Sequence, residues 1–290
     1  MMDFSNNKFM LNMYGGSEKK RTMIMDGRRY MVKYPDPFRG ANGELDFIYN
    51  AFSEHIGCHI LETMGFEVQR TLLGKVRMRN GEERVAVACE DFAQDGAHLI
   101  EFSKLITNDV ESDLRIARRS YPMELVMEIL DRTKETAGRE EIKEQFFDML
   151  VADTVIANTD RHTDNWGFLL EDDKLRFSPI YDCGSSLSSL MSDRQMAEAM
   201  KDEEAFKRAE YNQTCPYTLG GKRMFYPEIY GNPPEWLIGA VGRVFPKIDM
   251  DAINGVIDST EGITDMRKEY MKRAVSYRVD RLLKPVYRKS

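Results

Sequence analysis

An aspartate, an asparagine and a second aspartate follow one another in an order that suits phosphoryl transfer. Asp160 and Asn165 lie five residues apart within residues 158–165 (NTDRHTDN), and Asp182 follows after a short apolar stretch. In such a site one carboxylate accepts the proton of the attacking hydroxyl, while an amide oxygen and a second carboxylate hold magnesium ions on the ATP phosphates. The spacing therefore predicts Asp160 as the base, with Asn165 and Asp182 as Mg²⁺ ligands.

A lysine and a glutamate earlier in the chain would complete such a site. Lys33 ends the strand-like residues 30–33 (YMVK), and a lysine leaving a buried strand can reach ATP phosphates. Glu54 lies in the middle of the helical pattern that follows and could pair with Lys33. Glu44 and Glu62 are rival partners, but Glu54 sits beside the apolar helix positions and is preferred.

A glycine-containing turn precedes the hairpin that carries Lys33. Gly15, Gly16 and Ser17 begin residues 15–20 (GGSEKK), and such residues let backbone amides approach phosphates. The sequence contains neither GxGxxG nor GxxxxGK[ST]. The prediction of a phosphate-binding turn therefore depends on its position, one strand before the lysine.

Histidines and a cysteine at helical spacing suggest a metal site but fit packing better. His55, Cys58 and His59 share one predicted helix without a fourth ligand, a pattern that occurs more often in packing and at surfaces. His162 lies inside the 158–165 segment, where hydrogen bonding within its own loop is the simpler interpretation.

Composition limits the class of protein. The 290 residues are 42% hydrophobic and 31% charged, as is typical of a soluble globular protein with one large domain or two lobes. No apolar run reaches the roughly 18 residues that a membrane helix needs, and the N-terminus lacks a secretory signal pattern. We therefore expect a cytoplasmic protein with no membrane span.

Cysteine spacing argues against a zinc site, and net charge argues against a nucleic-acid-binding protein. The cysteines are far apart and form no CxxC pair, which favours free thiols in a reducing compartment over a zinc site. They are Cys58, Cys89, Cys183 and Cys215. The formal net charge of -7 argues against direct binding of nucleic acid, because that requires concentrated positive charge.

Periodicity predicts strands and one helix in roughly the first 95 residues, and mainly helices afterwards. The early part contains a hairpin over 21–25 and 29–33 around Asp26-Gly27, a helix over 46–64 closed by Gly65, and strands over 69–73 and 83–89. Later helices are predicted over 98–106, 123–137, 140–157, 196–211, 235–244, 251–258 and 265–283, with a hairpin over 168–177 turning at Asp172-Asp173. The expected fold is α+β and two-lobed, with a small strand-rich N-lobe over 1–93 and a larger helical C-lobe over 94–290.

Several segments resemble HipA-like serine/threonine kinases. Residues 158–165, 166–170 (WGFLL) and 178–182 (SPIYD) are similar to the catalytic segment of that family. Residues 30–33 resemble its strand lysine, and residues 53–60 (SEHIGCHI) resemble its small-lobe helix. The similarity covers roughly residues 10–285 and is strongest over 146–187.

The resemblance implies a protein-kinase-like fold that uses ATP and Mg²⁺ to phosphorylate a protein at serine or threonine. It implies the roles given above for Asp160, Asn165, Asp182 and Lys33, and contacts between adenine and backbone atoms from Glu90 to Phe92. Family members can phosphorylate a serine in their own glycine-rich loop, which here is Ser17. The chain resembles a compact, kinase-core-only member, and an antitoxin-like regulator is a candidate partner.

Two other classes of function stay open. A metal-dependent phosphohydrolase could use Asp160, His162, Asp164 and Asp182, but it leaves Lys33 and Glu54 unexplained, and the chain has only 4 histidines. A non-catalytic nucleotide-binding module would have no chemical need of Asp160. Residues 184–189 (GSSLSS) are either a mobile segment beside the site or a polar turn.

Overall fold

Within its described residues, the first ninety positions of the protein contain eight strands and one helix. The computed structural model describes residues 1–10, 20–34, 37–39, 45–47, 49–78, 81–106, 121–211 and 213–289. Its first elements are β1 (Met2–Asp3), β2 (Lys8–Met10), β3 (Lys20–Met25), β4 (Arg28–Lys33), β5 (Pro37–Arg39), β6 (Leu45–Phe47), α1 (Asn50–Thr63), β7 (Thr71–Arg77) and β8 (Glu83–Glu90). One sheet has the order β1-β7-β8-β4-β3-β2, and β5 pairs with β6.

The hairpin of β3 and β4 sets the position of Lys33. Asp26 and Gly27 have φ angles of 51° and 77°, the left-handed values that a tight turn between twisted strands requires. Met23 and Val32 are fully buried on the inner face of the hairpin. The register places Lys33, the last residue of β4, opposite Val87 of the central strand β8. The predicted hairpin is confirmed.

Helix α1 packs against the sheet and carries Glu54. Ile56, Ile60 and Leu61 are fully buried, and the chain leaves the helix through Gly65 at a φ of 80°. The predicted glycine end is confirmed. The predicted start at residue 46 is wrong, because β6 pairs with β5 over these residues and the helix begins only at Asn50.

The remainder of the chain is mainly helical. Its elements are β9 (His98–Glu101), a 3₁₀ turn (Phe102–Leu105), β10 (Tyr121–Pro122), α2 (Met123–Arg132), α3 (Glu140–Ile156), β11 (Gly167–Glu171), β12 (Lys174–Phe177), α4 (Asp193–Met200), α5 (Glu203–Tyr211), β13 (Thr214–Leu219), β14 (Lys222–Phe225), α6 (Tyr226–Gly231), α7 (Glu235–Val244), a 3₁₀ turn (Phe245–Lys247), α8 (Met250–Ser259), α9 (Asp265–Arg278), a π turn (Val279–Leu283) and α10 (Lys284–Tyr287).

An aromatic cluster beside α3 forms the centre of the helical half. The ring of Trp166 stacks on Phe102 at 4.3 Å and lies 4.6 Å from Phe146. Its indole nitrogen donates to the Tyr217 hydroxyl at 2.8 Å. Burying each such side chain stabilises the fold by about 1.5–3 kcal/mol. Because Trp166 follows Asn165 directly, this packing also fixes the end of the 158–165 segment.

The helix predicted over 98–106 is a strand followed by a 3₁₀ turn. Strand β9 pairs with β11, and Gly167 lies opposite Glu101. A side chain at Gly167 would come within 2.2 Å of the Ile100 carbonyl oxygen, so only glycine permits this pairing. A partner nearly seventy residues away therefore outweighs the local helical periodicity.

Two further expectations about the helical half differ from the structure. The helix predicted over 196–211 is divided into α4 and α5, because the Asp202 carboxylate accepts from the Ala205 amide at 2.6 Å and starts a new helix. The hairpin of β13 and β14 was not predicted. Its signal was Gly220-Gly221, two glycines with φ angles of 54° and 73° at the turn.

The two halves meet through both backbone and side chains in a two-lobed α+β fold. Val68, between α1 and β7, pairs in parallel with Ile180, and the Gln69 amide donates to the Ile180 carbonyl at 2.8 Å. This contact places the sheet beside the segment that contains Asp182. Among the described helices, none combines the length and apolar character of a membrane span.

His55 connects α1 to β7 and is sensitive to pH. Its Nδ1 atom lies 3.0 Å from the Thr71 hydroxyl oxygen, and its ring lies 4.1 Å from that of His59. Burial, with a smaller contribution from the charge of His59, lowers the pKa of His55 from 6.5 to about 4. The folded protein therefore binds this proton more weakly than the unfolded chain.

We expect the free energy of unfolding to fall as the pH is lowered from 6.5 towards 4, because the unfolded state takes up the His55 proton first. The contribution is about 3 kcal/mol at the acid end of this range. Urea unfolding at several pH values measures it, and His55→Asn should remove this part of the pH dependence. His98→Gln, an exposed histidine on β9, serves as control. An identical pH dependence in wild type and His55→Asn would contradict the assignment.

Candidate active site

The loop that carries Asp160 follows directly after helix α3. At its end Ala157 adopts a left-handed φ of 50°, and the Asn158 amide donates to the Asp153 carbonyl at 2.8 Å. The Asn158 side chain donates to the Asp153 carboxylate at 3.1 Å and accepts from the Asp160 amide at 3.2 Å. The main chain of Asp160 is therefore attached to the end of a buried helix.

The Asp160 side chain is accessible at the surface of a cleft. Its side chain is 58% exposed, and the cleft has a volume of about 360 Å³. His162 lies 4.0 Å from the Asp160 carboxylate and 3.6 Å from that of Asp164. An exposed carboxylate in a cleft can meet the hydroxyl of an incoming chain, as a base for phosphoryl transfer must.

The hairpin of β11 and β12 carries the chain from Asn165 to Asp182. It turns at Asp172 and Asp173, which have φ angles of 48° and 58°, and the predicted turn is confirmed. The Asn165 side-chain nitrogen donates to the Asp160 carbonyl at 2.8 Å, so its Oδ1 atom is the one that can bind a cation. Asp182 has a left-handed φ of 56°.

Lys33 connects the strand-rich half to the segment of Asp182. Its Nζ atom donates to Glu54 Oε2 at 2.8 Å and to Asp182 Oδ1 at 2.6 Å. The other Glu54 oxygen accepts from the Cys183 amide at 2.9 Å. One buried glutamate therefore holds both the lysine and the residue that follows Asp182.

Burial and the ammonium group of Lys33 act in opposite directions on the two carboxylates. Burial raises the pKa of Glu54, and Lys33 opposes that rise only in part. Burial also acts to raise the pKa of Asp182, but Lys33 and then Arg161 outweigh it and lower this pKa to about 2. Asp182 is thus ionised at neutral pH, as a ligand for a divalent cation must be.

Arg161 is a buried residue that sequence reasoning did not select. Its guanidinium donates to both carboxylate oxygens of Asp153, at 2.8 and 3.0 Å. It also donates to the Asn165 carbonyl at 2.7 Å and to the Tyr181 carbonyl. A single side chain therefore fixes the backbone at Asn165 and the residue before Asp182.

The electrostatics of Arg161 follow from its fully buried partner. Burial acts to lower the pKa of Arg161, but the Asp153 carboxylate outweighs it and raises this pKa well above the ordinary value. The signal in the sequence was Asp153 itself, an acid at an inward-facing position of the helix that ends at the loop. A buried acid requires a buried partner, and Arg161 is the nearest cation in sequence.

The residues predicted to meet adenine lie at the end of β8. The Glu90 amide donates to the Arg70 carbonyl at 2.8 Å, and the Glu90 carbonyl accepts from the Gln69 side chain at 2.9 Å. The Glu90 carboxylate accepts from Arg28. The ring of Phe92 lies 5.6 Å from that of Tyr181, which places Phe92 next to the segment of Asp182. A role in binding adenine stays a prediction for both residues.

Some predicted residues cannot be placed. Gly15, Gly16, Ser17 and Glu44 lie outside the described residues. Glu62, the second rival of Glu54, is exposed and does not contact Lys33.

The histidine and cysteine set on α1 does not converge on one point. His59 Nδ1 lies 2.8 Å from the His55 carbonyl oxygen, whereas Cys58 is buried on another side of the helix beside Glu54. Cys58, Glu54 and Cys183 do have ligand atoms within 4.8 Å of one another. However, Arg161 lies 3.5 Å from the Cys183 sulfur, so a cation there would meet a fixed positive charge.

Residues 184–189 form an anchored turn, which decides between the two alternatives left open by the sequence. The Leu187 amide donates to the Ile156 carbonyl at 2.8 Å, and the Ser189 carbonyl accepts from the Tyr49 amide at 2.9 Å. The segment after Asp182 is therefore attached to both α3 and the start of α1.

The donor set fits a magnesium ion. Asp182 offers an ionised carboxylate and Asn165 an amide oxygen, and both are the hard oxygen ligands that Mg²⁺ prefers. Two protein ligands are few, but Mg²⁺ commonly keeps several waters and binds substrate phosphates as well.

Known proteins are similar to this chain in sequence and in architecture. The chain is 28% identical over 274 residues to the serine/threonine-protein kinase CtkA of Helicobacter pylori strain J99, covering 93% of this chain and 82% of the relative. The crystal structure of a proinflammatory kinase CtkA from H. pylori superposes with a TM-score of 0.88 at 27% identity, covering 99% of this chain and 97% of that one.

A more distant structure shares the fold alone. HipA of Shewanella oneidensis MR-1, solved with HipB and operator DNA, gives a TM-score of 0.55 at 14% identity, over 94% of this chain and 66% of that one.

The profile of the HipA-like C-terminal domain matches residues 6–229, which is more than half of the sequence. The chain belongs to the HipA-like C-terminal domain family.

Proposed function

We propose that this protein is an ATP- and Mg²⁺-dependent protein serine/threonine kinase of the HipA-like type. The observation that carries the proposal is the Lys33 ammonium, which joins Glu54 and Asp182 beside the loop of Asp160. A phosphoryl-transfer site needs this combination of a phosphate-binding cation, metal ligands and a base. The likeness to CtkA, named a serine/threonine-protein kinase, supports the same activity.

Asp160 acts on the acceptor. Its exposed carboxylate orients the hydroxyl of a serine or threonine in a protein substrate and takes the proton as the new phosphate ester bond forms. Asn165 holds the Asp160 carbonyl through its side-chain nitrogen, so the base and a metal ligand keep a fixed separation. Positioning of this kind, rather than covalent chemistry, supplies most of the rate enhancement.

Lys33, Asp182 and Asn165 act on the donor. Lys33 binds the ATP phosphates while Glu54 keeps its ammonium group in place. Asp182 and Asn165 hold the magnesium, which when bound offsets the negative charge of the phosphates. Because Lys33 already contacts Asp182, the lysine and the metal ligand are organised before the nucleotide arrives.

The remaining contacts with ATP involve the N-terminal half. Gly15, Gly16 and Ser17 would cover the phosphates, with Ser17 as a site of autophosphorylation, and the backbone from Glu90 to Phe92 would meet adenine. ATP would then lie between an N-lobe over 1–93 and a C-lobe over 94–290. The position of Phe92 beside Tyr181 supports this arrangement.

Location and partners follow from the same proposal. We expect a cytoplasmic enzyme that acts on a protein substrate and does not bind nucleic acid directly. An antitoxin-like regulator is a hypothesis from family resemblance. The complex of HipA, HipB and DNA describes a relative at 14% identity, so its partners are not transferred to this chain.

A metal-dependent phosphohydrolase is the second candidate. The observation in its favour is His162, which lies near the carboxylates of both Asp160 and Asp164. Asp182, the fourth residue of that predicted set, instead contacts Lys33 at 2.6 Å. The kinase proposal accounts for this contact and the hydrolase proposal does not.

Substitution of Asp160 and Asp182 should separate catalysis from binding. We expect Asp160→Asn to lower transfer of labelled phosphate from ATP at least about 100-fold, because it removes the base, while ATP affinity stays near that of wild type. Asp182→Asn should abolish Mg²⁺-dependent ATP binding, measured by calorimetry. Asp172→Asn, an exposed aspartate at the turn of the β11–β12 hairpin that does not line the cleft, is the matched control.

Full transfer activity in Asp160→Asn would exclude the proposed base. Loss of activity in Asp164→Asn together with hydrolysis of simple phosphate esters by wild type would favour the phosphohydrolase instead. Tight ATP binding without any transfer by wild type would favour a non-catalytic binding module.

Arg161 should affect both stability and magnesium binding. Arg161→Gln leaves the Asp153 carboxylate buried without its cation, and we expect a loss of about 3–5 kcal/mol in the free energy of unfolding. The double variant Asp153→Asn/Arg161→Gln removes both charges and should recover much of that loss. It should still need roughly tenfold more Mg²⁺ for half-maximal transfer, because the contacts that fix Asn165 and Tyr181 are weakened. A double variant with the magnesium dependence of wild type would exclude the positioning role.

A further inference from the structure

The cleft that contains Asp160 has a second wall, which the proposed mechanism does not use. One side consists of Thr159, Asp160, His162 and Asp164, and the other consists of Tyr121, Pro216 and Arg223. The donor-side residues Lys33, Glu54 and Asp182 do not line this cleft. It is therefore the space in which the acceptor chain approaches the base.

The second wall is formed by β10 and by the hairpin of β13 and β14, with which β10 pairs, and that hairpin is fixed relative to the base. The Tyr217 hydroxyl accepts from the Trp166 indole at 2.8 Å, and the Tyr226 hydroxyl donates to the Asn158 carbonyl at 3.0 Å. At the turn, the Gly220 amide donates to the Glu124 carboxylate at 2.8 Å. The wall thus has a set distance from the loop of Asp160.

Arg223 is the positively charged residue among those that line this wall. Within the part of the chain that the structure describes, Arg223 forms no hydrogen bond or ion pair, and its side chain is exposed. Arg161 and Arg267, by contrast, each contact a carboxylate. A guanidinium that faces a substrate cleft without a protein carboxylate is available to a carboxylate of the substrate.

The charge distribution along the cleft gives the acceptor a direction. The side of the base carries the carboxylates of Asp160 and Asp164, which repel an acidic side chain, whereas Arg223 attracts one. An acceptor with an acidic residue beside its serine or threonine can place the hydroxyl at Asp160 and the acidic side chain at Arg223.

We propose that Arg223 selects protein segments in which an acidic side chain lies close to the phosphorylated serine or threonine. The inference rests on the proposed kinase function and specifies its substrate class. Tyr121 and Pro216 provide the apolar surface against which the acceptor backbone lies. Arg223 is a specificity-determining residue and takes no part in the proton or phosphoryl transfer.

The test uses synthetic peptides with one serine acceptor, flanked by glutamate, alanine or lysine on an otherwise constant scaffold, together with casein and myelin basic protein as protein acceptors. Wild type should phosphorylate the glutamate peptide with a kcat/KM at least about tenfold above that for the lysine peptide. The preference should shrink as ionic strength rises from roughly 0.05 to 0.5 M, because an exposed ion pair is screened.

Reversing the charge of Arg223 tests whether this residue selects the acceptor. Arg223→Glu should lower kcat/KM for the glutamate peptide about tenfold or more and make the lysine peptide the better substrate. The KM for ATP should stay unchanged, which separates this role from phosphate binding. Lys222→Glu is the matched control, since it makes the same charge change on the same strand but projects to the opposite face and does not line the cleft.

Four results would overturn the inference, and one of them also removes its basis. Equal peptide preferences in Arg223→Glu and Lys222→Glu, or a raised KM for ATP with the peptide preference intact, would exclude Arg223 as the selecting residue. No transfer by wild type to any peptide or protein acceptor would overturn the proposed function itself, and this inference with it. Transfer by wild type without preference for acidic flanks overturns the inference alone.

Discussion

The buried guanidinium of Arg161 is the interaction on which the rest of the site depends. A positive charge without solvent is stable only when its hydrogen bonds are complete, and Asp153 together with the carbonyls of Asn165 and Tyr181 supplies those bonds. The partners come from the core helix and from both ends of the β11–β12 hairpin. The need to satisfy one charge therefore brings together the segments that carry Asn165 and Asp182, although neither of these side chains binds the arginine.

A second set of contacts joins this assembly to the strand-rich half. One carboxylate oxygen of Glu54 accepts a hydrogen bond from Lys33, and the other accepts from the Cys183 amide. Lys33 also donates a hydrogen bond to Asp182. Movement of the helix that carries Glu54 would disturb the lysine and the residue after Asp182 together. The candidate site is therefore complete only when the sheet, the helix and the loop of Asp160 are correctly packed. The turn after Asp182 reinforces this state through its contacts with α3 and the start of α1.

The sequence predicted elements well where local signals and tertiary packing agree. The Asp26-Gly27 hairpin, the glycine end of α1 and the Asp172-Asp173 turn all depend on backbone conformations that few residues adopt, and these signals are local. The prediction of a helix over residues 98–106 failed. The apolar spacing of these residues fits a helix, but they form β9, which is stabilised by pairing with β11. That pairing requires a residue without a side chain at Gly167, a condition invisible within the strand itself.

The sequence by itself determined which functional groups the candidate site contains: two carboxylates, an amide and a lysine with a glutamate partner, in an order that indicates phosphoryl transfer. It could do so because these roles demand particular functional groups, and their spacing reflects a loop and a hairpin close in the chain. Only the tertiary structure decided that Arg161 and Asp153 fix the backbone beside Asn165 and Asp182, and that Arg223 and Asp160 line one cleft. Those relations depend on burial and on distances between elements far apart in sequence, which local residue patterns do not encode.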